Sequence, residues 1–405
     1  MNILLVCPEY PPRNIGGGGI VYKSIANELS KKGHKVRVIA GNLNYKQIVG
    51  QIELIYDQGV PVHFIPLVLP PKFRNFDVRT YTPPTIIGMA FLIKELIQSR
   101  KEVIHLHGLC HPLVDLAAFT CMLTRKKYVF TCHGIPKSPQ TSGSFWRFIL
   151  KSYLSIIEKI VIKRAAIVTT VSTSLLKECL EEKLTNKMMF VIINGVNTEL
   201  KLVKPKPIGE FEKKYRLKGK RIIFAIGRLN QNKGFQHLIN AMIDVTQRIP
   251  AATAIIAGTG PYKEKLQEQI YEKNLTNQVK LVGWISEEEK ATFYKYCDTV
   301  VFPSLQEPFG LVILEALTMH KPVIAFNTET ATQLLDNGFN SLLVPIADEK
   351  KLAVTITRIL EDKTLQERII AKTYTKIRIF EWNKIIKKYI NTYRKAYAKK
   401  RDITT

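Results

Sequence analysis

The stretch Pro303-Ser304-Leu305-Gln306-Glu307-Pro308-Phe309-Gly310-Leu311-Val312-Ile313-Leu314-Glu315-Ala316 sets two carboxylates around a Pro and a Gly. Pro308 and Gly310 predict a helix start right after Glu307, with Glu307 on the loop and Glu315 about two turns in. The N–H groups of Phe309, Gly310 and Leu311 would then be open first-turn donors able to take a phosphate. Glu315, among Val312, Ile313, Leu314 and Ala316, is costly to bury without polar partners, and sugar or ribose hydroxyls are such partners. Earlier, Gly227-Arg228-Leu229-Asn230-Gln231-Asn232-Lys233-Gly234 follows an apolar run and precedes a helical pattern. One guanidinium and one ammonium at a strand end and a helix start suit a diphosphate, although a solvated Arg and Lys is the plainer alternative in a chain with so many basic residues. Gly16–Gly19 also precedes a helical pattern; its backbone can approach an anion, or it can simply be a flexible turn.

Other chemistries lose their support at the motif level. No Walker loop and no GxGxxG fingerprint is present, since Gly258-Thr259-Gly260 is followed by Lys263 where a third glycine would stand. His105-Leu106-His107-Gly108-Leu109-Cys110-His111 has the look of metal ligands. No carboxylate or cysteine cluster completes the set, so polar residues at a strand end are expected there. The six cysteines are scattered without CxxC spacing, which points to reduced, buried thiols.

The elements that must carry these residues show as alternating apolar runs and helical patterns. Asn2–Cys7, Lys35–Ala40, Val103–His107, Tyr128–Cys132, Ala166–Val171 and Met188–Ile193 are strand-like without in-out alternation, which predicts parallel strands covered on both faces. Strand 2–7, the glycine loop, a helix over Tyr22–Lys32, the stop Gly33 and strand 35–40 form a βαβ unit. After a Lys-, Pro- and Gly-containing stretch near 200–218, expected to be a linker, the alternation restarts at Arg221–Ile226, Thr253–Ala257, Val279–Val282, Thr299–Phe302, Pro322–Ala325 and Ser341–Val344. Two doubly wound α/β domains follow, with ligands expected at the carboxyl ends of the strands.

With Glu307 and Glu315 as its paired glutamates, the chain resembles the family-four retaining glycosyltransferases. The likeness extends to Gly16–Gly19 with Gly33-His34-Lys35-Val36, Thr131-Cys132-His133-Gly134, Asn194-Gly195-Val196-Asn197, Gly227-Arg228 with Lys233-Gly234, Gly258-Thr259-Gly260-Pro261 and Gly283-Trp284. That resemblance implies the GT-B fold: two Rossmann-like doubly wound domains facing a central cleft, with a C-terminal helix crossing back to the first. It implies an acceptor-binding domain over 1–200, a nucleotide-sugar-binding domain over 201–380 and a basic helix over 381–405. The implied activity is retaining hexosyl transfer from a nucleotide-sugar donor to a hydroxyl. Arg228 and Lys233 would neutralise the diphosphate, helped by Phe309, Gly310 and Leu311; Glu307 would hold hydroxyls of the transferred sugar and Glu315 those of the ribose. His133 would lie beside the anomeric centre, and Gly17 and Gly18 would face donor phosphates and acceptor. No cofactor and no metal are expected, and Asp-x-Asp, the usual metal motif of the other glycosyltransferase fold, does not occur. The sequence departs from the family after Pro322-Val323-Ile324-Ala325, where Glu329-Thr330 and Thr332-Gln333 replace a usual Gly-Gly and Pro-Glu, and His320 stands where glycine is common.

The chain has 405 residues, 46% of them hydrophobic and 23% charged, enough for two or three soluble domains. No apolar run reaches the roughly 18 residues of a bilayer span. Ile3–Cys7, followed by Pro8, reads as a first strand rather than a signal peptide, so a cytoplasmic protein is expected. A net charge of +26 raises nucleic acid, an anionic membrane surface or a phosphorylated substrate as partners. Lys and Arg are spread evenly, without aromatics interleaved on one face, so nucleic acid is not expected. Residues 372–401 carry eleven basic side chains against Glu381. Within them Trp382, Ile385, Ile386, Tyr389, Tyr393 and Tyr397 form a helical stripe expected to pack on the first domain, leaving the charges to attract a membrane or a pyrophosphate-linked acceptor. Helix Lys151–Arg164 adds further basic residues. The acceptor is expected to be a glycan, a lipid-linked molecule or a small molecule, with peripheral attachment at the inner membrane face. A nucleotide-sugar epimerase of the same fold is the main alternative enzyme, and a non-enzymatic basic nucleic-acid binder the other class.

Overall fold

Ile3–Cys7 leaves no side chain in water, and Ala252–Ala257 repeats the pattern in the second half of the chain. Strands apolar on both faces need a helical layer on each side, and that need sets the architecture. The computed structural model describes residues 1–13, 16–42, 51–68, 82–99, 101–135, 148, 152–196 and 198–398. The chain divides into two units: Met1–Gly195 with the segment from Trp382 onward, and Val196–Glu381.

The first unit runs β1 (Asn2–Cys7), α1 (Gly17–Lys31), β2 (Lys35–Asn42), β3 (Glu53–Asp57), β4 (Val60–Pro66), α2 (Ile86–Gln98), β5 (Glu102–His107), α3 (Pro112–Leu123) and β6 (Tyr128–Cys132). A π-helical turn (Leu154–Glu158) then leads into α4 (Lys159–Arg164), β7 (Ile167–Thr170), α5 (Thr173–Glu181) and β8 (Met189–Val191). The strands lie in the order β3-β4-β2-β1-β5-β6-β7-β8. All pairings are parallel except β3 with β4. The β3–β4 hairpin is absent from the sequence-based strands; β3 alternates between half-buried and exposed residues, as an edge strand with one wet face does. Helix α1 begins earlier than expected, so Gly17 and Gly18 form its first turn rather than a preceding loop.

The second unit runs α6 (Ile208–Tyr215), β9 (Arg221–Ile226), α7 (Phe235–Arg248), β10 (Ala252–Ala257), α8 (Lys263–Glu272), β11 (Val279–Gly283), α9 (Glu287–Tyr296) and β12 (Thr299–Phe302). It continues through α10 (Leu311–Thr318), β13 (Val323–Phe326), α11 (Glu329–Leu334), β14 (Leu342–Val344), α12 (Glu349–Glu361) and α13 (Lys363–Ile377). Its parallel sheet has the order β11-β10-β9-β12-β13-β14, so the strand order reverses between β9 and β12. The stretch expected to be a linker is part of this unit. Phe211 of α6 is buried edge-on against Phe293 at 4.6 Å, and Leu200 is buried as well.

Helix α14 (Trp382–Tyr397) returns to the first unit. It buries Ile385, Ile386, Tyr389 and Tyr393, so the apolar stripe goes into protein and is not left for lipid. Tyr397 Oη accepts from the Ile104 N–H at 2.9 Å and donates to the Lys127 carbonyl, tying the helix to β5 and to the chain entering β6. Lys384, Lys387, Lys388, Arg394 and Lys395 stay exposed. Lys151, Asn197 and the end of the basic 372–401 segment lie outside the described residues.

Candidate functional site

In the second unit the loops after β9 and β12 converge at the point where the strand order reverses. Gly234 makes this convergence possible. Its φ is +68°, and a Cβ there would sit 1.8 Å from the Pro303 carbonyl oxygen, so only glycine fits. The Leu305 N–H donates to the Asn232 carbonyl at 2.9 Å, stitching the two loops together. Gly258 plays the matching part after β10, where a Cβ would lie 1.8 Å from the Gly227 carbonyl oxygen.

On this frame Arg228 stands exposed, one residue past Gly227. Lys233 is half-buried and donates to Glu307 Oε2 in a short ion pair. The pair joins the two residues that the sequence placed on separate loops, and each holds the other in position. The Thr330 hydroxyl donates to the Glu307 carbonyl at 2.5 Å. Residues 329–333, read from the sequence as an altered loop, are therefore in helix α11, capped by Thr328 and gripping the backbone of Glu307.

Helix α10 starts at Leu311 with Gly310 in the left-handed region as its cap, so Glu315 lies just over one turn in, not two. The later start follows from Gly310, whose φ of +85° cannot belong to the helix. The N–H groups of Phe309, Gly310 and Leu311 have no hydrogen-bond acceptor among the described residues. Gly310 and Leu311 are donors at the positive end of the helix, and Phe309 lies one residue before its cap.

Glu315 is not waiting for partners, as its apolar neighbours had suggested. Lys290 Nζ donates to its Oε1 at 3.0 Å and Tyr294 Oη to its Oε2 at 3.0 Å. Lys290 also reaches Glu287 at 2.9 Å. Burial lowers the pKa of Lys290, but Glu315 and Glu287 outweigh it and hold the ammonium charged. Burial and then the Glu315 charge push Tyr294 upward, so its phenol stays a donor. Each carboxylate oxygen keeps a lone pair for a hydroxyl. Lys290 and Tyr294 were missed in the sequence. The available signal was a lysine at the buried face of α9, three residues after Glu287 and four before Tyr294.

In the first unit, β1 and β5 flank the other reversal of strand order. Glu9, just past β1, accepts from the Gly19 N–H at 2.9 Å, so a protein carboxylate already uses a donor of the glycine turn. A Cβ at Gly18 would lie 3.0 Å from the Glu9 carboxylate and from Tyr22 Oη. His133 follows β6 and is half-buried. Burial, and then the nearby His111, push it down to about 3, so it is neutral across ordinary pH. His107 Nδ1 lies 3.1 Å from His133 Nε2, and Tyr22 packs on both rings at 5.0 and 4.9 Å. His105 bonds to Tyr393 Oη at 2.8 Å and Thr131 Oγ1 at 2.7 Å. These histidines hold hydrogen bonds to protein rather than converging on an ion, and among the described residues no group of His, Cys, Asp and Glu could hold a metal. No helix of the described residues is long and apolar enough to cross a membrane.

Residues 208–376 match the family described as Glycosyl transferases group 1, and residues 15–200 match Glycosyltransferase Family 4. An uncharacterised glycosyltransferase of Methanocaldococcus jannaschii is 26% identical over 98% of both chains. The N-acetyl-alpha-D-glucosaminyl L-malate synthase of Bacillus anthracis is 22% identical, covering 97% of this chain and 96% of its own. The phosphatidyl-myo-inositol mannosyltransferase of Mycobacterium leprae is 23% identical with the same coverage. Among solved structures, Anabaena HepE in complex with UDP and glucose superposes with a TM-score of 0.75 at 21% identity, over 97% of this chain and 99% of its own.

Proposed function

We propose that this chain, which belongs to the family-four glycosyltransferases of GT-B fold, transfers a hexosyl group from a nucleotide-sugar donor to a hydroxyl acceptor with retention of anomeric configuration. The observation that carries the reading is the join of Lys233 to Glu307 beside Arg228 at the strand-order reversal of the second unit, with Glu315 held one turn into α10. A diphosphate is the ligand that this set suits. Arg228, Lys233 and the N–H groups of Phe309–Leu311 at the approach to α10 offer positive charge where negative charge develops on the leaving nucleotide. Glu307 takes hydroxyls of the sugar, and Glu315 takes those of the ribose with the lone pairs that Lys290 and Tyr294 leave open. His133 serves the sugar end of the donor, and Gly17 and Gly18 serve its phosphates and the acceptor. The UDP and glucose bound to HepE support a nucleotide sugar, and the names of the sequence relatives support glycosyl transfer.

In the step we propose, the acceptor oxygen bonds to the anomeric carbon on the face that the leaving group vacates. The bond from that carbon to the phosphate oxygen breaks, and the acceptor proton passes to the same phosphate oxygen. No protein nucleophile is required, and the cationic side chains do the work that a metal does elsewhere. Mass spectrometry of products from a panel of nucleotide sugars, with a lipid extract and small-molecule acceptors, tests the activity. NMR of the product should show the donor's anomer, and turnover should survive EDTA; an inverted product, or activity restored only by Mn²⁺, would contradict the mechanism.

For the acceptor, the net charge and the exposed lysines of α14 favour a molecule at an anionic membrane face, each Lys or Arg near that surface contributing roughly 1 kcal/mol. The protein should co-float with anionic but not neutral liposomes and detach at about 0.5 M salt. Absence from anionic liposomes at low salt would make a soluble glycan or small molecule the better acceptor.

A further inference from the structure

His107 ends β5 completely buried, and its two ring nitrogens are in different situations. Nδ1 faces His133 Nε2 at 3.1 Å, while Nε2 is buried with no partner among the described residues. We propose that His107 is a positioning residue for His133: it donates Nδ1–H to His133 Nε2, which obliges His133 to carry its own proton on Nδ1 and to meet the donor's sugar as a hydrogen-bond donor. The proposal rests on the reading that His133 serves the sugar end of the nucleotide sugar.

The tautomer follows from counting protons. Two neutral rings that share one hydrogen bond need one donor and one acceptor. Had His107 its proton on Nε2, an N–H would be buried without an acceptor, and a buried donor left unpaired is expensive. With the proton on Nδ1, the orphan at Nε2 is only a lone pair, and the N–H is used. Burial keeps both rings neutral, so the one-proton count holds.

The rings have little freedom to do otherwise. His105 lies against His107 with centroids 3.9 Å apart, and both of its nitrogens are engaged by Tyr393 and Thr131. Thr131 Oγ1 is itself bonded to Thr169 Oγ1 at 2.7 Å. Tyr22 packs on His107 as well and also against His133. His133 is less enclosed than its partner, and its Nδ1 has no hydrogen-bond partner among the described residues. A proton there is available to oxygen acceptors of a ligand, whereas the lone pair is used internally. His133 is thereby a donor and not a general base, which agrees with a step in which the phosphate takes the acceptor's proton.

Nitrogen-15 NMR of the imidazoles in the full-length protein reads the tautomer directly. Wild type should show His133 as the Nδ1–H form. His107→Leu should lose that preference, and His107→Asn, whose side-chain amide can donate in place of Nδ1–H, should restore it. In turnover, His107→Leu should lower kcat by about tenfold or more, the scale on which the partner of a functional imidazole acts, with donor KM nearly unchanged. His107→Asn should recover most of the loss. An Nε2–H form of His133 in wild type overturns the proposal, even if His107→Leu does not fold. A kcat in His107→Leu equal to wild type overturns it as well. If His133→Ala keeps full turnover, the reading of His133 fails, and the NMR result then separates that failure from an error in the tautomer.

Discussion

Glu315 carries a protein donor on each of its oxygens, and this makes Lys290 the residue whose loss should be felt beyond its own contacts. Lys290 is nearly buried, and in Lys290→Met the carboxylate of Glu315 would keep its desolvation without its cation. Breaking a buried pair by removing one partner costs on the order of 3–5 kcal/mol, and the low end applies because Glu287, the second partner, is half-exposed. Urea unfolding should show that loss, and Glu315→Gln in the same chain should return part of it. An unchanged unfolding midpoint would mean that the ion pair does not hold Glu315. For the donor site, Arg228→Ala and Lys233→Ala should each weaken nucleotide diphosphate binding by about 1.5–3 kcal/mol in calorimetry, the worth of one charge-assisted contact. If neither variant changes affinity, the phosphate assignment is wrong. These four side chains differ in legibility. Arg228, Lys233 and Glu307 stand out through neighbouring glycines and proline, whereas Lys290 is one lysine among many until its fold partner is known.

At the scale of elements, the loops after β9 and β12 meet only because Gly234 has no side chain. Gly234→Ala would put a methyl group against the Pro303 carbonyl and hold alanine at positive φ, a conformation costing about 1–3 kcal/mol before the clash is counted. Gly209, in the first turn of α6, has open space and no positive φ. There alanine should be neutral or stabilise by up to about 1 kcal/mol. Paired denaturation curves of the two variants check this contrast, and equal midpoints would contradict it. The helix start at Leu311 and the helix over Glu329–Leu334 show where sequence signals misled. A Pro-x-Gly pair marks the approach to a helix without saying which side of the glycine it begins on, and a segment compared with a glycine-rich family loop was read as a loop although its own Thr328 is a helix cap.

At the scale of the molecule, the first unit holds His105, His107 and His133 as neutral rings. The unfolded chain would protonate each near about 6.5, whereas the folded chain does not until far lower pH. Their contribution is therefore complete above about 6.5 and is lost as pH falls, on the order of 1.4 kcal/mol per pH unit for each imidazole. Asp115 and Glu158 oppose this. Burial raises both carboxyls, Asp115 to about 7, and Asp115 Oδ1 and Glu158 Oε2 have no hydrogen-bond partner among the described residues. The unfolded carboxyls would release their protons, so the pair favours the fold as pH falls from about 7 towards 4. Three imidazoles outweigh two carboxyls, and unfolding midpoints should drop between about pH 6.5 and pH 5. A midpoint that holds or rises over that range would show that the rings are charged in the fold.

What the sequence determined by itself is what depends on near neighbours in the chain. Apolar runs without alternation specify covered parallel strands, the glycines at 227 and 258 mark strand ends, and those at 234 and 310 mark helix starts where backbone must turn or approach closely. Arg228, Lys233 and Glu307 fall in the loops between those strand ends and helix starts, and Glu315 in the helix that follows. Tertiary structure decided what depends on pairs far apart along the chain. It joined Lys233 to Glu307, set Lys290 and Tyr294 on Glu315, tied Thr330 to the Glu307 carbonyl and aligned His107 with His133. It also turned the stripe of α14 into the first unit and added 196–218 to the second. Such contacts leave no periodicity to read, because the order of strands in each sheet and the packing of the helices on it decide which residues meet.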